Sequence, residues 1–464
     1  MTQANLPRHR LWGFLSDLGR GVYLINENDR ETARVNPAVS QSVMQRSRQQ
    51  KLQFLGIFCG FAAALWLAGA EAPTKLVTVA VSPFVISFMM VLGAFVSRWS
   101  LPALVLGTAG TFSDIRKVPH LIVWGVMAGC LWAVGNTLTV LAVRDIGLSI
   151  AFPLWNANSL IAIIWGTLLF KELHRAGWLR WFGVVGGALI MFVGALLLSF
   201  VSSSHGASEH PIRGVVAALG AGLMFGSQYI PFRKAYITGL NPFTFLTFFT
   251  FGEMTTMTII AVSFSGGFSP FLRQLALNSS ILFWPLLGGF MWVVGDLFQN
   301  YAAKYVGISR GVPLSNTNQL WGLVWATMVF AELHGLSWNI YAQVAGGSLL
   351  MAAGALAIAF SSATPDEYTS WKEAAKRESD LYSIEPSYVL AHMEGSNEDI
   401  ARVRRTWVDW PLIAIATFVF IAFGAIARVP HLDLRWGWLL TLTAAMLLVL
   451  VAGGIMLWRI TRFD

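Results

Sequence analysis

The most constraining feature of this sequence is a series of twelve apolar stretches, each about 20 residues long. A helix of that length spans the hydrocarbon core of a bilayer, and a helix satisfies its backbone hydrogen bonds internally, as lipid surroundings require. We therefore predict an all-α membrane protein. The stretches lie at residues 52–70, 76–97, 120–142, 148–170, 179–200, 212–232, 243–265, 281–302, 308–331, 338–361, 410–427 and 436–458.

The few charged residues support the same interpretation. Only 12% of the 464 residues are charged, against roughly 25% in soluble domains. With both termini inside, all but six of the 32 Lys and Arg residues fall on the inner side, as the positive-inside rule requires. We expect an integral, multi-pass protein of the plasma (inner) membrane, embedded in the lipid bilayer with cytoplasmic N- and C-termini.

Composition also excludes several classes of protein. The two cysteines, Cys59 and Cys130, lie in apolar stretches and cannot build a disulfide or zinc framework. The net charge of +8 comes with no nucleic-acid-binding motif, so we expect no nucleic-acid partner, no metal and no cofactor. Residues 1–51 form a polar, basic extension without a signal-peptide core. Residues 362–409 form a polar cytoplasmic loop with one surface helix near 371–381.

The sequence contains an internal duplication. A shift of 160 residues aligns 129–202 with 289–362 without a gap, with 29 identities in 74 positions. A weaker match extends the repeat upstream, giving five spans in 52–202 and five in 212–361. Because five is odd, the second copy is inverted in the membrane, and residues 410–458 add two accessory helices. The identities include Trp132/Trp292, Gly135/Gly295, Gly147/Gly307, Ser149/Ser309, Pro153/Pro313, Asn156/Asn316, Asn158/Asn318, Glu172/Glu332 and His174/His334.

These repeated residues resemble a known superfamily. The W-x-x-G-N, G-x-S and P-x-x-N elements and the F-K-E-L-H and F-A-E-L-H junctions are similar to the drug/metabolite transporter superfamily. Within it, the pattern looks like the glucose/ribose porter and rhamnose–proton symporter families. The resemblance covers roughly 52–361 and implies a five-plus-five inverted bundle that transports a sugar. The last two spans and the long N-terminus depart from the usual ten-helix pattern.

Two prolines mark matched positions in the two copies. Pro153 and Pro313 lie just inside the fourth and ninth spans, where a proline removes one helix hydrogen bond. Paired interruptions of this kind point to the transport site, which inverted repeats place near the bilayer midplane. A simple helix kink without solute contact is the alternative.

Paired amides follow these prolines at Asn156, Asn158, Asn316 and Asn318. An amide both donates and accepts hydrogen bonds, which suits a hydroxyl-bearing solute. Residues two apart do not share a helix face, so one amide of each pair can line a cavity while the other bonds between helices. Hydrogen bonding between helices alone is the other interpretation.

Two carboxylates lie within predicted spans. Asp296 aligns with the neutral Asn136 of the first copy, and Glu253 lies in the seventh span. Intramembrane carboxylates are costly to retain, so both are candidates for coupling transport to a proton or another cation. Asp296 pairing with Gln299 or Lys304 is the alternative.

Aromatic and polar residues complete the candidate set. Trp132 and Trp292 lie midway along their spans, where an indole can stack on a sugar ring or simply pack. Glu172, Glu332, His174 and His334 fall at helix ends and are interpreted as junction residues, too sparse for a metal site. Further cavity candidates are Trp155, Gln228, Tyr229 and Gln319.

The sequence favours a secondary transporter for a small polar solute, a sugar of the glucose, ribose or rhamnose type, coupled to protons and not an enzyme. Export of drugs or metabolites by the same fold is the main alternative. A membrane-embedded transferase would need clustered acids or histidines, and no such spacing occurs. A membrane-anchored scaffold working through 362–409 is the remaining possibility.

Overall fold

A computed structural model describes residues 37–75, 81–146, 151, 154–199, 211–331, 337–361, 363–393, 405–428 and 434–463. All regular structure in these ranges is helical, which confirms the expected all-α membrane class. The chain divides into two units, 1–55 and 56–464. In the first unit, the described residues 37–55 belong to a helix, so the basic extension predicted at 1–51 ends in helical structure.

The helices are numbered here in chain order. The first nine are α1 (Pro37–Lys75), α2 (Pro83–Val105), α3 (Ala109–Lys117), α4 (His120–Ile146), α5 (Asn158–Phe170), α6 (Trp178–Ser199), α7 (Pro211–Ser227), α8 (Tyr229–Ile237) and α9 (Pro242–Phe264). The others are α10 (Phe268–Leu277), α11 (Phe283–Val306), α12 (Ile308–Ser315), α13 (Asn318–Val324), a π-helical turn (Trp325–Val329), α14 (Trp338–Phe360), α15 (Pro365–Tyr382), α16 (Pro386–Met393), α17 (Asp409–Ile426) and α18 (Trp436–Thr461).

Nine of the helical segments in the described ranges are long and apolar enough to cross a membrane. The predicted spans at 148–170, 281–302 and 308–331 are not among them. The first contains the short helix α5, the second corresponds to the more polar α11, and the third is broken into α12, α13 and the π-helical turn. The three exceptions are therefore the spans in which the sequence places most of its polar candidates.

Glycines set the closest helix contacts. A Cβ placed on Gly129 of α4 would lie 1.9 Å from the carbonyl oxygen of Phe249 in α9. A Cβ on Gly289 of α11, the repeat partner of Gly129, would lie 1.9 Å from the carbonyl oxygen of Met90 in α2. Matched glycines thus make equivalent contacts in the two halves, while the complete five-plus-five order stays a prediction.

The accessory helices lie at the periphery of the bundle. Helix α17 packs on α2 and α11, and most of its surface and that of α18 is exposed. The residues after α18 return to the bundle, where the Phe463 carbonyl oxygen accepts hydrogen bonds from Tyr301 Oη at 2.8 Å and Asn241 Nδ2 at 2.7 Å. The end of the described chain is therefore fixed to α11 and to the start of α9.

Candidate functional site

A cluster of three charged residues lies deep in the bundle. Arg98 Nη1 donates to Glu253 Oε2, and Arg98 Nη2 donates to Asp296 Oδ2. The residues are 1%, 1% and 7% exposed. Glu253 and Asp296 lie near the middle of α9 and α11, and Arg98 joins them from α2. We call these three residues the central charge cluster; it connects a helix of the first predicted repeat to two helices of the second.

The central charge cluster has more acid than base. In the described contacts one guanidinium serves two carboxylates, and the groups that join them are neutral. The Phe249 ring lies 4.6 Å from Arg98 Cζ, Thr250 Oγ1 lies 3.5 Å from Glu253 Oε2, and the Trp292 indole interacts with Asp296. A buried charge is costly unless it is paired. The arrangement therefore favours uptake of a proton, or of a hydrogen-bond donor, by one of the carboxylates.

Arg98 is absent from the residues that the sequence singled out. The predicted second span ended at residue 97, whereas α2 continues to Val105. Arg98 therefore fell just beyond the predicted span, among the basic residues assigned to the inner side of the membrane. The apolar residues from Leu101 to Val105 are the signal that would have extended the span.

Polar side chains surround Asp296 on its own helix and on the neighbouring ones. Asn300 Nδ2 donates to the Asp296 carbonyl oxygen at 2.7 Å and its side-chain oxygen accepts from Tyr236 of α8. Gln299 Nε2 donates to Ser315 Oγ of α12 at 2.6 Å. The layer ties α8, α11 and α12 together beside the carboxylate.

An aromatic pair lies next to this polar layer. The rings of Trp132 and Trp292 meet edge to face, with centroids 6.0 Å apart, and Trp132 also contacts Phe225 of α7. Because Trp292 precedes Asp296 by four residues, both occupy one face of α11. Gln228, in the break between α7 and α8, follows Phe225 by three residues. The Trp132–Trp292 pair therefore adjoins the central charge cluster.

Three buried polar atoms in this part of the protein have no hydrogen-bond partner among the described residues. They are Arg98 Nε, Gln228 Oε1 and Asn318 Oδ1. The indole N–H of Trp292, by contrast, interacts with the Asp296 carboxylate. An unpartnered buried group costs ~1–3 kcal/mol. The two amide oxygens are on residues that the sequence proposed as solute contacts, and Trp292 is a third such residue.

The predicted asparagines join the two halves directly. Asn316 Nδ2 donates to Asn158 Oδ1 at 2.7 Å and to Ser159 Oγ at 2.5 Å. Both asparagines lie next to helix ends. Asn316 lies between the end of α12 at Ser315 and the start of α13 at Asn318, and Asn158 is the first residue of α5. The helix-to-helix interpretation therefore describes Asn158 and Asn316 in this conformation.

A small cavity borders the broken ninth span. Its lining includes Asn156, Pro313, Asn316 and Gln319. Its volume of about 10 Å³ is close to the space that one water needs, so no sugar fits there in this conformation. Pro153, the partner of Pro313, lies outside the described residues.

The remaining candidates lie further from the charges. Asn136 is half-buried in α4, and its carbonyl oxygen accepts from Thr139. Trp155 packs with the cluster that contains Ala217 and Ala218 of α7. Among the described residues no group of three or more His, Cys, Asp and Glu is arranged to hold a metal ion.

A second set of charges lies at one end of the bundle. The fully buried Glu172 carboxylate forms an ion pair with Arg233, whose Nε lies 2.7 Å away. It also accepts hydrogen bonds from the backbone N–H groups of Ile308 and Ser309 at 3.1 and 2.8 Å. It thus caps the first turn of α12, a junction role of the kind that the sequence suggested. Glu332 and His334 lie outside the described residues.

Comparison with known proteins points to sugar transport. Residues 239–379 match the family described as "Sugar transport protein". A "Putative sugar uptake protein" of Streptococcus pyogenes serotype M1 is 33% identical over 100 residues, which are 22% of this chain and 34% of that protein. A "Probable glucose uptake protein" of Staphylococcus epidermidis is 28% identical over 199 residues, covering 42% of this chain and 63% of that protein.

A "Probable glucose uptake protein" of Staphylococcus aureus is 26% identical over 222 residues, covering 47% of this chain and 71% of that protein. The chain spans about a third of the length of the streptococcal relatives and a larger share of the staphylococcal ones. The similarities are thus to a sugar transport family and to sugar and glucose uptake proteins.

Proposed function

We propose that this protein is a secondary transporter for a sugar, working by alternating access and coupled to a proton gradient. The observation that carries the proposal is the central charge cluster, in which one arginine of α2 holds carboxylates of α9 and α11 near mid-helix. The relatives are named as sugar and glucose uptake proteins, and these names supply the proposed substrate class.

The groups around the cluster have the chemistry that a sugar requires. A pyranose presents hydroxyls, which pair with amides and carboxylates, and an apolar ring face, which stacks on indole. Trp292 supplies a ring and an indole N–H beside the Asp296 carboxylate, and Gln228 supplies an unpartnered carbonyl oxygen. These two residues and Trp132 are the proposed primary contacts.

Proton coupling follows from the acid excess. In the proposal, a proton on Asp296 removes one of the two charges that compete for Arg98, which then pairs with Glu253 alone. Loosening the link between α2 and α11 lets the two predicted halves move apart. Deprotonation restores the link after the solute has left, so that proton and sugar move together.

The described conformation is a closed one in this scheme. The cavity beside Asn316 is water-sized, and the charge cluster is buried. Binding therefore has to follow an opening of the bundle at one face. We place that motion between the two inverted halves, as in other repeat-built carriers, with both termini on the cytoplasmic side of the plasma membrane.

Uptake into proteoliposomes tests the proposal. Purified protein is reconstituted and offered a panel of labelled hexoses, pentoses and deoxyhexoses, with and without an imposed pH gradient. We expect accumulation of at least one sugar under the gradient. Absence of flux for the whole panel, in protein that remains folded, would overturn sugar transport, and flux of apolar cations alone would point to the exporter alternative.

The variant Asp296→Asn separates transport from coupling. We expect gradient-driven accumulation to fall at least about tenfold, while exchange of labelled for unlabelled sugar persists, because the neutral amide still accepts from Arg98 but cannot titrate. Glu373→Gln, an exposed position on α15, is the control and keeps full accumulation. Undiminished accumulation in Asp296→Asn would remove this carboxylate from the mechanism.

A further inference from the structure

Helix α15, within the polar loop after the repeats, has two distinct faces. Thr364 caps its N-terminus, because the Thr364 hydroxyl accepts a hydrogen bond from the Glu367 N–H at 3.1 Å. Pro365 occupies the first helical position, and this combination is typical of a stable helix start. The buried residues are Glu367, Ser370, Trp371, Ala374, Ala375 and Ser379. The exposed ones are Asp366, Thr369, Glu373, Lys376, Arg377, Asp380 and Leu381.

The buried face of α15 carries a charge into the bundle. Glu367, which is fully buried, accepts two hydrogen bonds from Arg310 of α12, at 2.9 and 3.0 Å. One turn later, the buried Trp371 lies under the guanidinium of Arg233, at 4.4 Å from the ring centroid. Arg233 is in turn paired with Glu172, so α15 completes a cluster of two acids and two arginines. We call Glu172, Arg233, Arg310 and Glu367 the face cluster.

Further contacts fix the rest of the helix to other helix ends. Tyr368 Oη lies 3.4 Å from the Tyr305 carbonyl oxygen at the end of α11. Glu378 Oε2 lies 3.1 Å from Lys234 Nζ of α8. Near its end, Tyr382 stacks on His120, the first residue of α4, with ring centroids 4.0 Å apart. The small residues Ala374 and Ala375 bring the helix close to the bundle.

These attachments lie on both sides of the seam between the predicted halves. His120 belongs to the first predicted repeat, whereas Arg310 and Tyr305 belong to the second. Glu172 of the first repeat is linked to α15 through Arg233. Glu172 itself crosses the seam, because it caps α12 from the end of α5. Separation of the halves at this end would therefore break contacts that α15 makes, and α15 covers the place where they meet.

We propose that α15 is a detachable latch that closes one face of the transporter and has to leave its seat before that face opens to solute. The inference rests on the proposed function only in its link to transport. The docking itself is a property of the face cluster, and each part has its own measurement.

Bridging the latch to the bundle tests the link to transport. The two native cysteines are first removed by Cys59→Ala and Cys130→Ala. New cysteines are then introduced by Lys234→Cys and Glu378→Cys, joined by a bifunctional methanethiosulfonate reagent and released again with reductant. We expect sugar exchange to fall to the background of empty liposomes when bridged and to return on release. Each single cysteine variant, treated identically, keeps its exchange rate. Full exchange in the bridged protein would overturn the latch.

Thiol labelling measures the docking without any sugar. Ser370→Cys is placed on the buried face of α15 and Thr369→Cys on its exposed face, and both are treated with a membrane-impermeant maleimide. Adding Glu367→Gln leaves the buried Arg310 without its charge partner, a costly change, so labelling of Ser370→Cys should accelerate at least about tenfold. Glu373→Gln, on the exposed side, should leave the rate unchanged.

The outcomes separate the two proposals. If no sugar is transported but Glu367→Gln still accelerates labelling of Ser370→Cys, the latch stands as a docked element and the proposed function fails. If sugar is transported and saturating sugar raises the labelling of Ser370→Cys but not of Thr369→Cys, both stand. If the protein transports sugar, but labelling of Ser370→Cys changes neither with sugar nor with Glu367→Gln, the latch is overturned and the proposed function stands.

Discussion

The two buried charged clusters of this protein differ in their balance. In the central charge cluster a single arginine faces two carboxylates, whereas in the face cluster Glu172 pairs with Arg233 and Glu367 with Arg310. A carboxylate paired with one arginine forms a neutral ion pair, so nothing favours the binding of a proton to it. An unmatched acid keeps a driving force to take up a cation. The comparison therefore contrasts a charge-balanced cluster, to which we assign a structural role, with an acid-rich cluster, to which we assign the proposed proton coupling.

The largest effect is expected from removing the shared arginine. Arg98→Met leaves two buried carboxylates unpaired, and loss of one partner of a buried ion pair costs about 3–5 kcal/mol. The variant should unfold at a clearly lower temperature in detergent, as followed by tryptophan fluorescence. Adding Glu253→Gln and Asp296→Asn should recover most of the stability without restoring accumulation. An Arg98→Met protein as stable as the parent would break the comparison.

A smaller effect is expected in the face cluster. Glu172→Gln keeps one acceptor but loses the charge opposite Arg233, which still donates to the carbonyl oxygens of Ala303 and Lys304. We expect a loss of about 2 kcal/mol, the range for hydrogen bonds to charged groups, with proton coupling unchanged. The exposed Glu385→Gln serves as control in the same melting experiment. Loss of coupling at unchanged stability would contradict the structural role of this cluster.

The smallest effect is expected where no charge is involved. Asn316→Ala removes the bond to Asn158 Oδ1 and should cost about 1 kcal/mol. If the asparagine only joins helices, the KM for the transported sugar should stay within about twofold of the parent. A tenfold rise in KM, with stability lowered no further, would show that Asn316 meets the solute during the cycle.

Much of the fold could be predicted because it depends on segment length and polarity. Spans such as 243–265 and 338–361 agree closely with α9 and α14. Asp296 and Glu253 were found because an acid within an apolar stretch is conspicuous. Their partner Arg98 was missed because it lies one residue beyond the end predicted for the second span, whereas α2 continues to Val105.

The contacts of the candidates could not be predicted, because they depend on which helices meet. The repeat identified Asn158 and Asn316 as members of two matched asparagine pairs, but it did not predict the hydrogen bond between them. Glu172 was recognisable as a junction residue, yet Arg233 lies in a different helix, far along the chain. Helix α15 was expected as a surface helix, and its buried side became evident only from Arg310 and Arg233.

The cap formed by Glu172 has an evolutionary consequence. The carboxylate comes from one copy of the duplication, while the N–H groups of Ile308 and Ser309 and the side chain of Arg233 come from the other. Because Glu172 and Arg233 are both buried, a change of either one would leave the other without its counter-charge. Homologues that replace this glutamate should also have lost the arginine, a pairwise covariation that can be counted once enough sequences are aligned.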